Sequence, residues 1–265
     1  MHDSSKQSFK AFLDVYIKDA SGAQISALEV GSRDVNGSVL DQNRVDIDWK
    51  SVDIAPGLGV THVLEDPYVY PFNDNTFDLV ACSSVMEHME FFWLAFLEMV
   101  RVSKEGGYIF ISAPSNGSIH RFPIDAWRLY PDAGLVLQNW SIRNGLPIEV
   151  REALMLNRSN SGRWVDSCFV FQKIKFDCTA RNSTSTSLKS HLPDSIYLDV
   201  LDLDNRTERL AHPDQILIDK LSKAIREASK VLRSIKLDIE SRNSAIMRSL
   251  SLLNSSKNRA DSWPE

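Results

Sequence analysis

Apolar residues in the middle of the chain fall into two short unbroken runs with a helical stripe between them. Leu79, Val80 and Ala81 form one run, between Asp78 and Ser83-Ser84, and residues 108–113 form the other. Runs without alternation predict strands buried on both faces. Between them Phe92, Phe96, Met99 and Val100 recur at helical spacing, with Glu98 and Arg101 left for the wet side. Lys104-Glu105-Gly106-Gly107 predicts a basic last turn and a glycine stop. Strand, crossover helix and strand make a parallel unit, which is almost always right-handed. Ligands of such sheets bind beyond the carboxyl ends of the strands. Ser83, Ser84, Glu87, His88 and the loop 115–128 are expected there.

The same reading extends outward. Phe9, Phe12, Leu13 and Tyr16 mark an amphipathic helix over residues 8–18. Strands are predicted at 25–30, at 49–54 ending in Asp53, and at 60–64 running into Glu65-Asp66. Residues 132–144 read as a helix, with Asp132 as N-cap and Gly145 past its end. Residues 148–156 and 167–176 are two more strands, joined by a polar segment that suits antiparallel pairing. The expected architecture is α/β: a seven-stranded, mostly parallel sheet with its last strand reversed. Residues 1–178 form the sheet domain, and 179–212 a Ser/Thr-rich linker with a candidate edge strand at Ile196-Tyr197-Leu198. Over 213–255 a helix carries Ile218, Leu221, Ile225, Ala228, Leu232, Ile235, Ile239 and Ile246 in three- and four-residue steps, interrupted at Arg242 and Ser249. That spacing predicts a coiled-coil seam and a homo-oligomer, against a helix packed on its own domain.

Composition changes the picture little. With 43% hydrophobic and 25% charged residues in 265, the chain is that of an ordinary globular protein. A net charge of −5 gives no electrostatic reason to expect a nucleic acid partner. No apolar run is long enough to span a bilayer, and the first residues lack a signal-peptide pattern. Cys82, Cys168 and Cys178 form no CxxC pair, and two of them sit in strand-like runs, so buried thiols in a reducing cytoplasm are expected. No spaced cluster of histidines and carboxylates demands a metal.

The loop after the first strand has Gly31 and Gly37 but no GxGxxG, and no GxxxxGK[ST] occurs elsewhere. An NAD-dependent dehydrogenase and a P-loop kinase are therefore disfavoured. Asp53, at the end of the second strand, is placed to accept hydrogen bonds from a ribose diol. Leu28-Glu29-Val30-Gly31-Ser32-Arg33, Val52-Asp53-Ile54, Asp66 ahead of Pro71-Phe72, and Phe77-Asp78-Leu79-Val80 together resemble the class I S-adenosylmethionine-dependent methyltransferases. Val85-Met86-Glu87-His88 and residues 101–107 resemble that family's segments after strand four and before strand five. The segment 120–128 resembles a subgroup associated with cell-surface sugar and polysaccharide pathways.

The resemblance implies a Rossmann-like fold and S-adenosyl-L-methionine as cofactor. It implies that Glu29 and Gly31 shape the methionine end, Asp53 holds the ribose hydroxyls, Asp66 the adenine amino group, and Ser83 lines the pocket near the sulfonium. Arg33 departs from the family's glycine and is placed to pair with the cofactor carboxylate. A hydroxyl acceptor benefits from a base. His120 is the first candidate, His88 the second, with Asp125 alongside; Asp125 and Arg128, three apart, suit an ion pair. Trp127, Arg128 and Tyr130 are candidate acceptor contacts. The expected function is O-methylation of a sugar or cell-surface glycan. Small-molecule N- or C-methylation, and an idle fold serving as an assembly module, stand as alternatives.

Overall fold

The computed structural model describes residues 3–17, 24–33, 45–121, 123–157, 164–175, 187–197 and 212–260. Gly37, Phe122, Cys178 and most of the expected linker lie outside the described residues. By its contacts the chain divides into two compact units, Met1–Thr207 and Glu208–Glu265.

The first unit is built on one eight-stranded sheet. In chain order its strands are β1 (Ile25–Val30), β2 (Ile47–Asp53), β3 (His62–Val63), β4 (Phe77–Ser83), β5 (Ser103–Pro114), β6 (Ile148–Met155), β7 (Asp166–Lys173) and β8 (Ile196–Tyr197). Their order across the sheet is β3-β2-β1-β4-β5-β7-β6-β8. β1 to β5 pair parallel, while β7 runs antiparallel to β5 and β6, as the sequence pattern predicts. The edge-strand candidate is realised as the two-residue β8, antiparallel to β6.

The unbroken apolar runs have a simple cause. Leu28, Val80, Ile109 and Ile111 enter one buried cluster, and their neighbours Ala27, Leu79, Ala81 and Phe110 enter another. Alternate side chains of each strand thus supply the two faces, and both faces are covered. Helix α1 (Asp3–Tyr16) covers one face, packing Phe9 edge-on and Phe12 tilted against Phe110 at centroid distances of 5.1 and 5.2 Å. Helix α2 (Phe92–Val102) contributes Phe96, Met99, Val100 and Val102 to the other, and helix α3 (Ala133–Arg143) contributes Leu137. Phe96 meets Phe171 of β7 at 4.9 Å.

Two local expectations are corrected. Residues 104–107 are not a helical last turn. α2 ends at Val102, Ser103 Oγ donates to Met99 O, and the chain passes straight into β5. The glycines serve the strand: the β4/β5 register shifts between Phe77 and Leu79, and Gly106 takes φ +79 there. Lys104 instead ties three strands by donating to Asp78 (2.8 Å) and Ser26 Oγ (3.1 Å). Asp132 precedes α3 but makes no side-chain cap. The second unit holds helix α4, Pro213–Ala260. Its Ile218, Leu221, Ile225, Leu232, Ile235, Ile239 and Ile246 are each at least 50% exposed.

Candidate active site

Strand order reverses between β1 and β4, and the sheet opens a crevice at such a switch point. Gly31 follows β1 there. Its φ of +75 is a left-handed conformation, and a Cβ on it would meet Val85 Cγ2 at 2.1 Å. The loop after β4 therefore closes directly on the loop after β1. Gly31 and Ser32 donate their N–H groups to Val52 O at 2.9 and 3.3 Å, which holds the turn over β2. Asp53 accepts from the Arg33 N–H (3.0 Å) through Oδ2 and from the Ala55 N–H (3.1 Å) through Oδ1. Each oxygen keeps a lone pair for a further donor. Arg33 lies across Gly57, whose missing side chain makes the room.

Glu29 is buried at the end of β1, and Ser83 ends β4 with an Oγ that is buried and without a hydrogen-bond partner. Ser84 is in the same condition, with φ +56. Asp66 is exposed after β3; its carboxylate accepts from the Tyr68 N–H at 2.8 Å. Glu29, Gly31, Asp53 and Ser83 thus gather at the carboxyl ends of β1, β2 and β4, with Asp66 following β3.

The second part of the site is the loop 115–130. It is laced to the short 3₁₀ turn Met86–His88 by Ala126 N–H donating to Glu87 O (2.8 Å) and by His88 Nδ1 lying 2.6 Å from Ile124 O. The two histidine candidates, 32 positions apart in sequence, meet with ring centroids 4.9 Å apart. The Asp125 side chain is 1% exposed. It makes a forked pair with Arg128 (2.5 and 2.7 Å), accepts from the His120 N–H (2.8 Å) and lies 3.3 Å from His120 Nδ1. The Arg128 hydrogen bonds hold the Asp125 carboxyl well below the usual range. The pair is the expected one, but it sits on irregular backbone rather than a helical turn.

Trp127 does not stand free as a stacking platform. Its indole N–H donates to Met89 O (2.8 Å), and its ring packs on Phe92 and Trp93. Tyr130 is 57% exposed.

Two residues of this site take parts that the sequence does not signal. Trp164 lies 4.6 Å from His120, faces the Arg128 guanidinium, and occupies the space a Cβ on Gly117 would fill. Glu87 is the other. Its side chain is 1% exposed, neither carboxylate oxygen has a hydrogen-bond partner, and burial pushes its pKa up to about 8. Burial likewise moves His88 down from the ordinary imidazole range. Glu87, His88 and His120 each place a ligand-capable atom within 4.8 Å of the others. The sequence shows no spaced cluster of this kind; the loop 115–130 brings residue 120 back over residues 87 and 88.

An open, mostly parallel sheet with polar groups gathered at the carboxyl ends of its strands is the Rossmann-like arrangement of a methyltransferase. Residues 20–111 match a family described as a methyltransferase domain. Residues 20–111 thus carry a methyltransferase domain, for which S-adenosyl-L-methionine is the methyl donor. No curated protein matches the sequence. Similar solved structures include a SAM-dependent methyltransferase from Aquifex aeolicus, at 14% identity over 65% of this chain and 100% of that one, with a TM-score of 0.41. The 1,6-didemethyltoxoflavin-N1-methyltransferase of Burkholderia thailandensis is 12% identical over 65% of this chain and 80% of that one, at 0.46. The N-methyltransferase NodS of Bradyrhizobium japonicum WM9 is 14% identical over 66% of this chain and 89% of that one, at 0.46.

Proposed function

We propose that the protein methylates a hydroxyl group of a sugar or glycan. The observation that carries this reading is the pair of imidazoles, His88 and His120, held beside a buried carboxylate in the loop over the β4 and β5 ends. A hydroxyl is a poor nucleophile at neutral pH and benefits from a base that takes its proton as the new bond forms. Bound S-adenosylmethionine supplies an activated methyl group on a sulfonium, whose departure needs no proton.

The residues at the strand ends fit that cofactor. Gly31 keeps the first loop low, Asp53 offers its remaining lone pairs to ribose hydroxyls, and the unpartnered Ser83 Oγ is available near the sulfonium. Glu29 shapes the methionine end, Arg33 meets the carboxylate, and Asp66 meets the adenine amino group. Alignment of donor and acceptor is then most of what the protein contributes. His120 acts as base, 34% exposed at the mouth, with His88 behind it and Asp125 orienting its ring. Tyr130 and the face of Arg128 contact the acceptor, and Trp127 forms a fixed wall.

Residues 1–178 carry the reaction, 179–212 connect, and 213–255 associate in a cytoplasmic homo-oligomer serving polysaccharide biosynthesis. No helix among the described residues is long and apolar enough to cross a membrane. The test is a methyl-transfer screen against nucleotide sugars and oligosaccharides with mass detection of the product. With the acceptor in hand, His120→Ala is expected to lower turnover by roughly 10²–10⁴ while cofactor affinity stays near wild type. Near-normal turnover would remove His120 as the base.

A further inference from the structure

We propose that Glu87, His88 and His120 bind a divalent transition-metal ion of the zinc type, through one carboxylate oxygen and two imidazole nitrogens. Three observations meet at this point. The three side chains bring one ligand atom each within 4.8 Å of one another, so that small side-chain adjustments close the set around an ion. Two imidazoles and a carboxylate are a donor set for zinc and for other first-row divalent ions.

Glu87 supplies the second observation. Its carboxylate is buried, and neither oxygen has a hydrogen bond within geometric limits; only the residue's own backbone N–H lies near enough to offset the burial in part. A polar group in that condition costs free energy unless something of complementary charge meets it. The Arg128 guanidinium, whose charge acts on Glu87, is turned to both oxygens of Asp125. His88 Nε2 approaches Glu87 Oε1 only to 3.7 Å, too far for a hydrogen bond.

The third is how the imidazoles are held. His88 Nδ1 lies 2.6 Å from Ile124 O, an acceptor that fixes the proton on Nδ1 and leaves Nε2 with its lone pair. His120 Nδ1 lies 3.3 Å from both Asp125 Oδ2 and Ser118 O, which likewise place the proton on Nδ1. Histidine ligands of metals are characteristically oriented this way, by a carbonyl or carboxylate on the far ring nitrogen. Trp164, edge-on to His120 at 4.6 Å, fixes the plane of that ring.

Three protein ligands leave a coordination position open to an oxygen ligand, which is water when nothing else is bound. An imidazole that ligates the ion through Nε2 has no lone pair left for a proton, so with the ion bound His120 is a ligand and its role as base belongs to the metal-free protein. That an acceptor hydroxyl takes the open position rests on the methyl-transfer reading; binding of the ion does not.

The full chain, stripped with a chelator and dialysed, is titrated with Zn²⁺ by calorimetry and with Co²⁺ by visible absorption. One equivalent of Zn²⁺ and a cobalt spectrum displaced by zinc are expected. Glu87→Gln, His88→Ala and His120→Ala should each weaken binding by at least roughly 10–100-fold, the effect already known for outer-shell changes. Circular dichroism checks each fold; His120→Ala, at the mouth, is the variant least exposed to misfolding. Absence of binding to the wild type would overturn the proposal, leaving the cluster as a proton-sharing group. Binding that survives all three substitutions would also overturn it, by placing the ion elsewhere. Methyl transfer that persists in metal-free protein would sever the ion from the reaction without touching the titration result.

Discussion

Asp53 holds the shape of its loop, and the proposed function gives it a ligand as well. It receives two backbone N–H groups, from Arg33 and Ala55, and so fixes the turn that follows β2. Its remaining lone pairs are what the proposed function offers to ribose hydroxyls. Asp53→Ala is expected to weaken S-adenosylmethionine binding by about 1.5–3 kcal/mol, the range for hydrogen bonds to charged groups. Calorimetry checks it; a folded variant of unchanged affinity would take Asp53 out of the site. The sequence made Asp53 legible because strand ends and acids are both visible in it. It made His88 and His120 legible as single candidates. Their meeting, and the orphaned state of Glu87, were not legible, because burial at residue 87 is decided by a loop starting 28 positions later. Trp164 was invisible for the same reason: only the space above Gly117 explains its place.

At the scale of elements, apolar runs located the β4–α2–β5 unit well, while the junction of α2 and β5 was misplaced. Gly106-Gly107 after a basic residue reads locally as a helix stop. In the fold the strand register decides, because Lys104 finds Asp78 and Ser26 on the neighbouring strands. For Asp78, burial raises the carboxyl pKa, but hydrogen bonds from Lys104 and Ser26 and the Lys104 charge outweigh it, and the net shift is downward. A carboxyl depressed in the folded state stabilises above its unfolded pKa, about 3.9, and loses that contribution as pH falls through the folded value. Asp78→Asn should therefore be less stable than wild type in urea at pH 7, and the gap should narrow at pH 3. A gap independent of pH would contradict this account of the β1–β4–β5 tie.

At the scale of the whole molecule, the two compact units pose different questions. The first buries both faces of its sheet. The second presents an exposed stripe from Ile218 to Ile246, a long apolar surface to leave in water. Truncation after Arg209 is expected to convert an oligomer into a monomer that still binds S-adenosylmethionine, and light scattering on the two chains decides it. A full chain monomeric at micromolar concentration would end the oligomer reading. The heptad-like spacing was legible in sequence, whereas the partner of a seam never is, since a stripe looks the same whichever surface meets it.

The central claim is that the crevice between β1 and β4 takes S-adenosylmethionine, and calorimetric titration of the full chain tests it most directly. The account predicts saturable one-to-one binding of S-adenosylmethionine and no measurable heat with NAD. Binding of NAD with silence from S-adenosylmethionine would contradict it.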